Sequence, residues 1–132
     1  MAAAPSHADI IGSLPASTVG AYEAAITSLE DAKAEEIVTI NITEKSSIGD
    51  AMIIASGRSH RHVGAIADHL MRDFKKAGFG NAAVEGLPHC DWVLIDTGDL
   101  IIHIFRPEVR DFYNIEKMWS AGMNADPETA NA

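Results

Sequence analysis

The chain holds a single cysteine, Cys90, among its 132 residues. One thiol excludes an internal disulfide framework and fits a reducing compartment. No apolar run approaches the roughly 20 residues that a membrane span requires. No basic region followed by an apolar core stands at the start, so no secretory signal is read and a cytoplasmic location is expected. Positive charge is scarce: ten Lys and Arg face nineteen Asp and Glu, a formal net charge of −9. The short basic groups Arg58-Ser59-His60-Arg61 and Lys75-Lys76 make no block, so the footprint of a sequence-specific nucleic-acid binder is missing. The acidity serves solubility or steers the chain toward a basic partner, and composition leaves both open.

What is present is a core-forming composition, 47% hydrophobic. A chain of this size buries roughly two-thirds of its unfolded surface as one domain. Its centre is DWVLIDTGDLIIHIFR, residues 91–106, where two β-rich runs flank a polar break. Gly98 can take a positive φ, so the runs are expected to pair as an antiparallel hairpin with a three-residue loop. Pairing Asp96 with Leu100 places Val93, Ile95, Ile101, His103 and Phe105 on one face. Trp92, Leu94, Asp96, Leu100, Ile102 and Ile104 then line the other. Both faces are mostly apolar, which predicts a hairpin covered on both sides.

Around it, residues 1–19 are Ala-, Ser- and Pro-rich without a period and are expected to be disordered. Helical spacing predicts a helix over 20–33, alternation a strand over 35–42, and an apolar run a buried strand over 51–55. Ser59 can cap a helix running to about 77, with Arg61 and Asp68 expected to hold it to the sheet. A short strand is expected at 82–85, and Pro107 opens a last helix. The long helix between the second and third strands leaves room for a parallel crossover. The fold class is therefore α/β, a mixed sheet of about five strands flanked by helices.

The six histidines include His62 and His69, which share a helix face, but no HxxxH or CxxC pair appears. No metal and no cofactor are expected. Ser56, Ser59, Cys90 and His103 are possible members of a nucleophilic site, yet no GxSxG elbow is present. The turn Ser56-Gly57-Arg58-Ser59 could hold an anion but lacks a P-loop or GxGxxG pattern, and a plain turn and cap is favoured. Asp96 and Asp99 could serve acid–base or Mg²⁺ chemistry, accept turn N–H bonds, or present charge to a partner. Trp92, on the Asp96 face, is either core or an interface anchor.

Four stretches in order, KSSIGDAMIIASGRSHRHVGAIADHL (45–70), VEG (84–86), DWVLIDTGDLIIHIF (91–105) and RDFYNIEKMW (110–119), together resemble the ribosomal silencing factor family, also called RsfS or Iojap-like. The likeness places one domain at 20–120, with 1–19 before it and a flexible tail at 121–132. It implies a nucleotidyltransferase-like scaffold that binds the large ribosomal subunit through ribosomal protein uL14 and blocks the small subunit, silencing translation when nutrients are scarce. It also implies an alternative, large-subunit assembly, the role of organellar relatives. The nucleotidyltransferase Gly-Ser followed by Asp-x-Asp is missing, and Ser56-Gly57 is reversed, so no enzyme is expected. The less favoured alternative is a Mg²⁺-dependent enzyme using Asp50, Asp96 and Asp99. The partner-facing residues expected from these motifs are Trp92, Asp96, Asp99, Tyr113, Glu116 and Trp119. An exposed apolar docking patch would also allow a homodimer of the free protein.

Overall fold

The structure, a computed structural model, describes residues 7–43, 49–79 and 82–118. Its elements in chain order are α1 (His7–Ser13), α2 (Ala16–Asp31), β1 (Glu35–Asn41), β2 (Ala51–Ser56), α3 (His60–Lys76), β3 (Ala83–Glu85), β4 (Trp92–Asp96), β5 (Leu100–Phe105), α4 (Pro107–Tyr113) and α5 (Ile115–Lys117). The five strands form one sheet in the order β1-β2-β5-β4-β3. The β2/β5 pair is parallel, as the long crossover through α3 predicts, and the other pairs are antiparallel. Strands β2 and β5 are buried along their whole length, which is why both read as unbroken apolar runs.

Alternation along the strands divides the core in two. Ala51, Ile53 and Ala55 of β2 and Leu100, Ile102 and Ile104 of β5 face α2 and α3. Met52, Ile54, Ile101 and Phe105 face the opposite side and are also buried, packed with Ile40, Ile42, Ile115 and Val109. Helix α3 forms because Val63, Ile66, Ala67, Leu70 and Phe74 repeat at helical spacing and all are buried. Ser59 caps it, accepting a bond from the His62 amide at 3.1 Å. The start of α3 is tied down by the His62 ring, whose Nδ1 accepts from the Arg58 amide at 2.9 Å and whose Nε2 donates to Ala32 O at 2.9 Å. Arg61 and Asp68 do not do this: Arg61 is exposed, and Asp68 pairs with Arg72 on the solvent side, one helical turn away.

Three expectations change. The hairpin register is Trp92↔Phe105 through Asp96↔Ile101, one residue from the expected pairing. The loop is correspondingly tighter: the Thr97 amide donates to Leu100 O at 3.0 Å, and Gly98 (φ +98°) and Asp99 make the turn. A one-residue slip exchanges the faces of one strand relative to the other. His103 and Phe105 therefore share a side with Trp92, Leu94 and Asp96. Apolarity on both faces left the slip invisible to a pattern argument.

The second change is at the N-terminal end. His7–Ser13 and the segment from Ala16 onward are helical, separated by a break at Leu14 and Pro15, where disorder was expected; residues 1–6 lie outside the described residues. Ile10, 2% exposed, and Leu14 enter the core. Ser13 Oγ accepts from Asn41 Nδ2 at 2.8 Å, and Thr18 Oγ1 donates to Asp50 at 2.6 Å. Ile10 and Leu14 lie one turn apart, too short a stripe to stand out in sequence. Third, the last helix breaks at Asn114, which takes a left-handed conformation (φ 47°, ψ 46°). At the sheet's margins lie β3, of three residues, and β1, whose pairing is interrupted between Glu35 and Val38.

If α1 belongs to the core, Ile10→Ala lowers the unfolding free energy by about 2–4 kcal/mol. Urea denaturation checks this, and an unchanged midpoint would place the segment outside the cooperative unit.

Candidate docking surface

On the face away from α2 and α3, β4 presents Trp92, Leu94 and Asp96 beside Phe105, His103 and Ile101 of β5. Only α4 and α5 cover this face among the described elements, and they cover the Trp92–Phe105 end. Trp92 is half-buried there. Its ring lies 4.8 Å from Phe105, 4.8 Å from Tyr113 and 5.8 Å from His103. Phe112 stands edge-on to Tyr113 at 5.0 Å. Phe112 is 81% exposed and Tyr113 52% exposed, a poor use of aromatic area unless something else covers it. Trp92, Val109, Phe112 and Tyr113 line a cleft of about 560 Å³, walled by Asp91, Glu108, His89 and Gly86. Gly86, with φ +92°, brings the loop so close that a Cβ would collide with the Trp92 carbonyl.

Charged groups frame the cleft and fix its walls. Asp91 Oδ1 accepts from Arg106 Nε at 2.8 Å and from His60 Nε2 at 2.7 Å, joining the starts of α3 and α4. The Arg106 and His60 bonds hold the Asp91 carboxyl below the usual carboxylate range. Arg106 also reaches Glu108 at 3.3 Å. Beneath the cleft, Arg110 is 7% exposed. Its Nη1 donates to Ser56 Oγ at 2.8 Å, and Nε and Nη2 donate to the two oxygens of Glu116 at 2.6 and 3.3 Å. That fork closes the α4–α5 corner across Asn114 and pins it to the end of β2.

The six expected partner-facing residues separate accordingly. Trp92 and Tyr113 come together at the cleft. Asp96 is exposed on the same strand face, four residues and about 13 Å further along. Its Oδ1 accepts from the Gly98 amide at 2.8 Å, so it braces the turn while keeping an exposed charge. Asp99 is exposed in the turn itself, its carbonyl accepting from the Asp50 amide at 2.7 Å. Glu116 is half-buried, and its carboxylate is engaged by Arg110. Trp119 lies outside the described residues. Sequence reasoning missed Phe112, exposed on α4, and Leu94, half-buried on the Trp92 face. A seven-residue helix buries only one narrow stripe, and that was the available signal for Phe112.

Chemistry has less to work with. Among the described residues no three His, Cys, Asp or Glu converge as a metal site. Asp50 is taken up by Thr18, Ser56 Oγ by Arg110, and Cys90 Sγ donates to Leu87 O at 2.6 Å. No helix among the described residues is long and apolar enough to cross a membrane. A buried titratable group on this face is His103, whose Nδ1 accepts from Trp92 Nε1 at 2.9 Å. Burial lowers its pKa from 6.5 to about 4.

Residues 15–132 match the family model for "Ribosomal silencing factor during starvation", RsfS. The chain is 56% identical over 99 residues to the ribosomal silencing factor of Zymomonas mobilis, covering 75% of this chain and 74% of that protein. It is 30% identical over 112 residues to a mouse protein named for mitochondrial assembly of the ribosomal large subunit, covering 80% of this chain and 49% of that longer protein. The crystal structure of a Chromobacterium violaceum protein superposes with a TM-score of 0.73 at 38% identity, over 74% of this chain and 82% of that one.

Two outcomes follow from the buried groups. Arg110→Ala removes the buried guanidinium that bonds Ser56 and the half-buried Glu116 and lowers stability by about 1–3 kcal/mol, whereas Arg72→Ala, at an exposed pair, costs about 1 kcal/mol or less. Denaturant midpoints of the two variants check the contrast. His103 is kept neutral in the fold, while the unfolded chain protonates near 6.5. Its contribution, on the order of 3 kcal/mol, is present above pH 6.5 and is lost as the pH falls toward 4. A pH series of unfolding free energies should be flatter in His103→Phe than in wild type across that window.

Proposed function

The chain belongs to the ribosomal silencing factor family, and from that premise we propose that it docks on the large ribosomal subunit through ribosomal protein uL14 and blocks the small subunit by occupying its place. The observation that carries this reading is the aromatic cleft: Phe112 and Tyr113 stand exposed over Trp92 on the α4–α5 face of the sheet. Aromatic side chains with an apolar floor and a charged rim are the anatomy of a protein-binding centre. The net charge of −9 suits a basic ribosomal partner and raises the rate and selectivity of encounter. Docking of this kind makes and breaks no covalent bond, so the protein acts as a cytoplasmic regulator of translation under nutrient limitation and not as an enzyme. Asp96 and Asp99 form a second, acidic contact at the hairpin tip.

A second reading is large-subunit assembly, favoured by the similarity to the mouse protein named for that process. It uses the same surface and differs in the particle bound, mature or immature.

Sedimentation with purified subunits tests the main reading: excess protein should leave the large and small subunits apart, and normal joining would defeat it. Phe112→Ala, at a residue that contributes little to the core, should weaken large-subunit binding tenfold or more, about 1.4 kcal/mol, with the melting temperature unchanged. Asp96→Lys combined with Asp99→Lys should slow association and weaken its salt dependence. Unaltered association kinetics would remove the hairpin tip from the interface.

A further inference from the structure

A histidine in the middle of β5 is out of character with its strand. The other five residues are Leu, Ile, Ile, Ile and Phe, and all six are buried. Polar groups persist in such places when they are hydrogen-bonded. The bond seen here is to Trp92, whose indole N–H donates to His103 Nδ1 at 2.9 Å. An indole nitrogen can only donate, so Nδ1 is the bare nitrogen of the ring and Nε2 carries the hydrogen. The imidazole is also stacked on Phe105, 5.8 Å away with 13° between the planes. His103 and Trp92 are diagonal neighbours across the β4–β5 ladder, within reach for long side chains.

We propose that His103 is a positioning residue for docking: it aims the Trp92 indole so that the floor of the cleft is already set before a partner arrives. This rests on the cleft being the partner-facing surface. Two physical effects support the assignment. A half-exposed tryptophan whose N–H is bonded to water can change rotamer, and ordering it on binding lowers affinity; a bond from inside the fold removes that loss beforehand. Moreover, a partner seated on the cleft excludes water from the indole edge. Without an internal acceptor the N–H would be sealed in unpaired. His103 supplies that acceptor from the sheet side, so the partner need not supply one. Phe105 and Tyr113 then bracket the same ring through centroid distances of 4.8 Å each.

The test compares His103→Phe, which removes the acceptor and keeps a ring, with His103→Asn, whose side-chain oxygen can stand near the place of Nδ1. Two quantities are read: affinity for purified large subunits, and hydrogen exchange of the Trp92 indole N–H, assigned by NMR through its disappearance in Trp92→Phe. His103→Phe should bind about three- to tenfold more weakly and exchange its indole hydrogen faster, and His103→Asn should recover both. In the Trp92→Phe background, His103→Phe should bring no further loss of affinity, because the donor it serves is gone. The inference is overturned if His103→Phe speeds indole exchange but binds like wild type, if His103→Asn behaves as His103→Phe, or if the two losses add. A wild-type chain that ignores large subunits would instead bring down the docking reading itself, and this inference with it.

Discussion

A guanidinium sealed inside the fold determines where the aromatic cleft can stand. A buried charge is tolerable only when its hydrogen bonds are met, and Arg110 meets them with Ser56 at the end of β2 and with both oxygens of Glu116. Those partners lie on two other elements, β2 and α5. Satisfying them fixes the end of α4, the left-handed Asn114 and the start of α5 as one corner. Phe112 and Tyr113 precede that corner immediately, so their direction is inherited from an ionic contact below them. The exposed aromatics are thus carried on a rigid mount, although the helix bearing them has only seven residues.

The sheet supplies the other half of the surface. Its two faces are packed by different described elements: α2 and α3 lie on one side, while α4 and α5 lie over the Trp92–Phe105 end of the other. Strand β4 crosses the boundary between covered and open ground. Trp92 packs at one end and Asp96 stands exposed at the other, with Leu94 half-buried between them. A single strand face therefore carries an apolar anchor and a charged tip about 13 Å apart. This separates the part of the surface suited to tight packing from the part suited to attraction at a distance.

Much of this was legible in the amino-acid order because local signals agreed. Ser59 followed by apolar residues at helical spacing marked α3 and its cap, and the run of Ile and Ala at 51–55 marked a buried strand. The long helix after the second strand left room for a parallel crossover, though not which strand β2 would pair with, and Pro107 marked the start of α4. What stayed hidden depended on contacts between distant residues. Hairpin register could not be read because neither face of the hairpin was polar enough to identify it. Nothing in the sequence set Arg110 apart, and Glu116, six positions on, lies outside the spacing at which helical neighbours meet. The bond from Trp92 to His103 followed from the true register and could not precede it.

The margins of the sheet have a consequence for life at high concentration. Exposed aromatics beside a long, straight edge strand would invite copies of the chain to zip together by backbone bonding. Here one margin is a three-residue strand, and the other is kinked by the irregularity near Glu36, whose φ of 51° turns the backbone out of line. Neither offers a template for continued strand addition. The protein can therefore keep a sticky surface open for a specific target without seeding fibrous aggregates along the way.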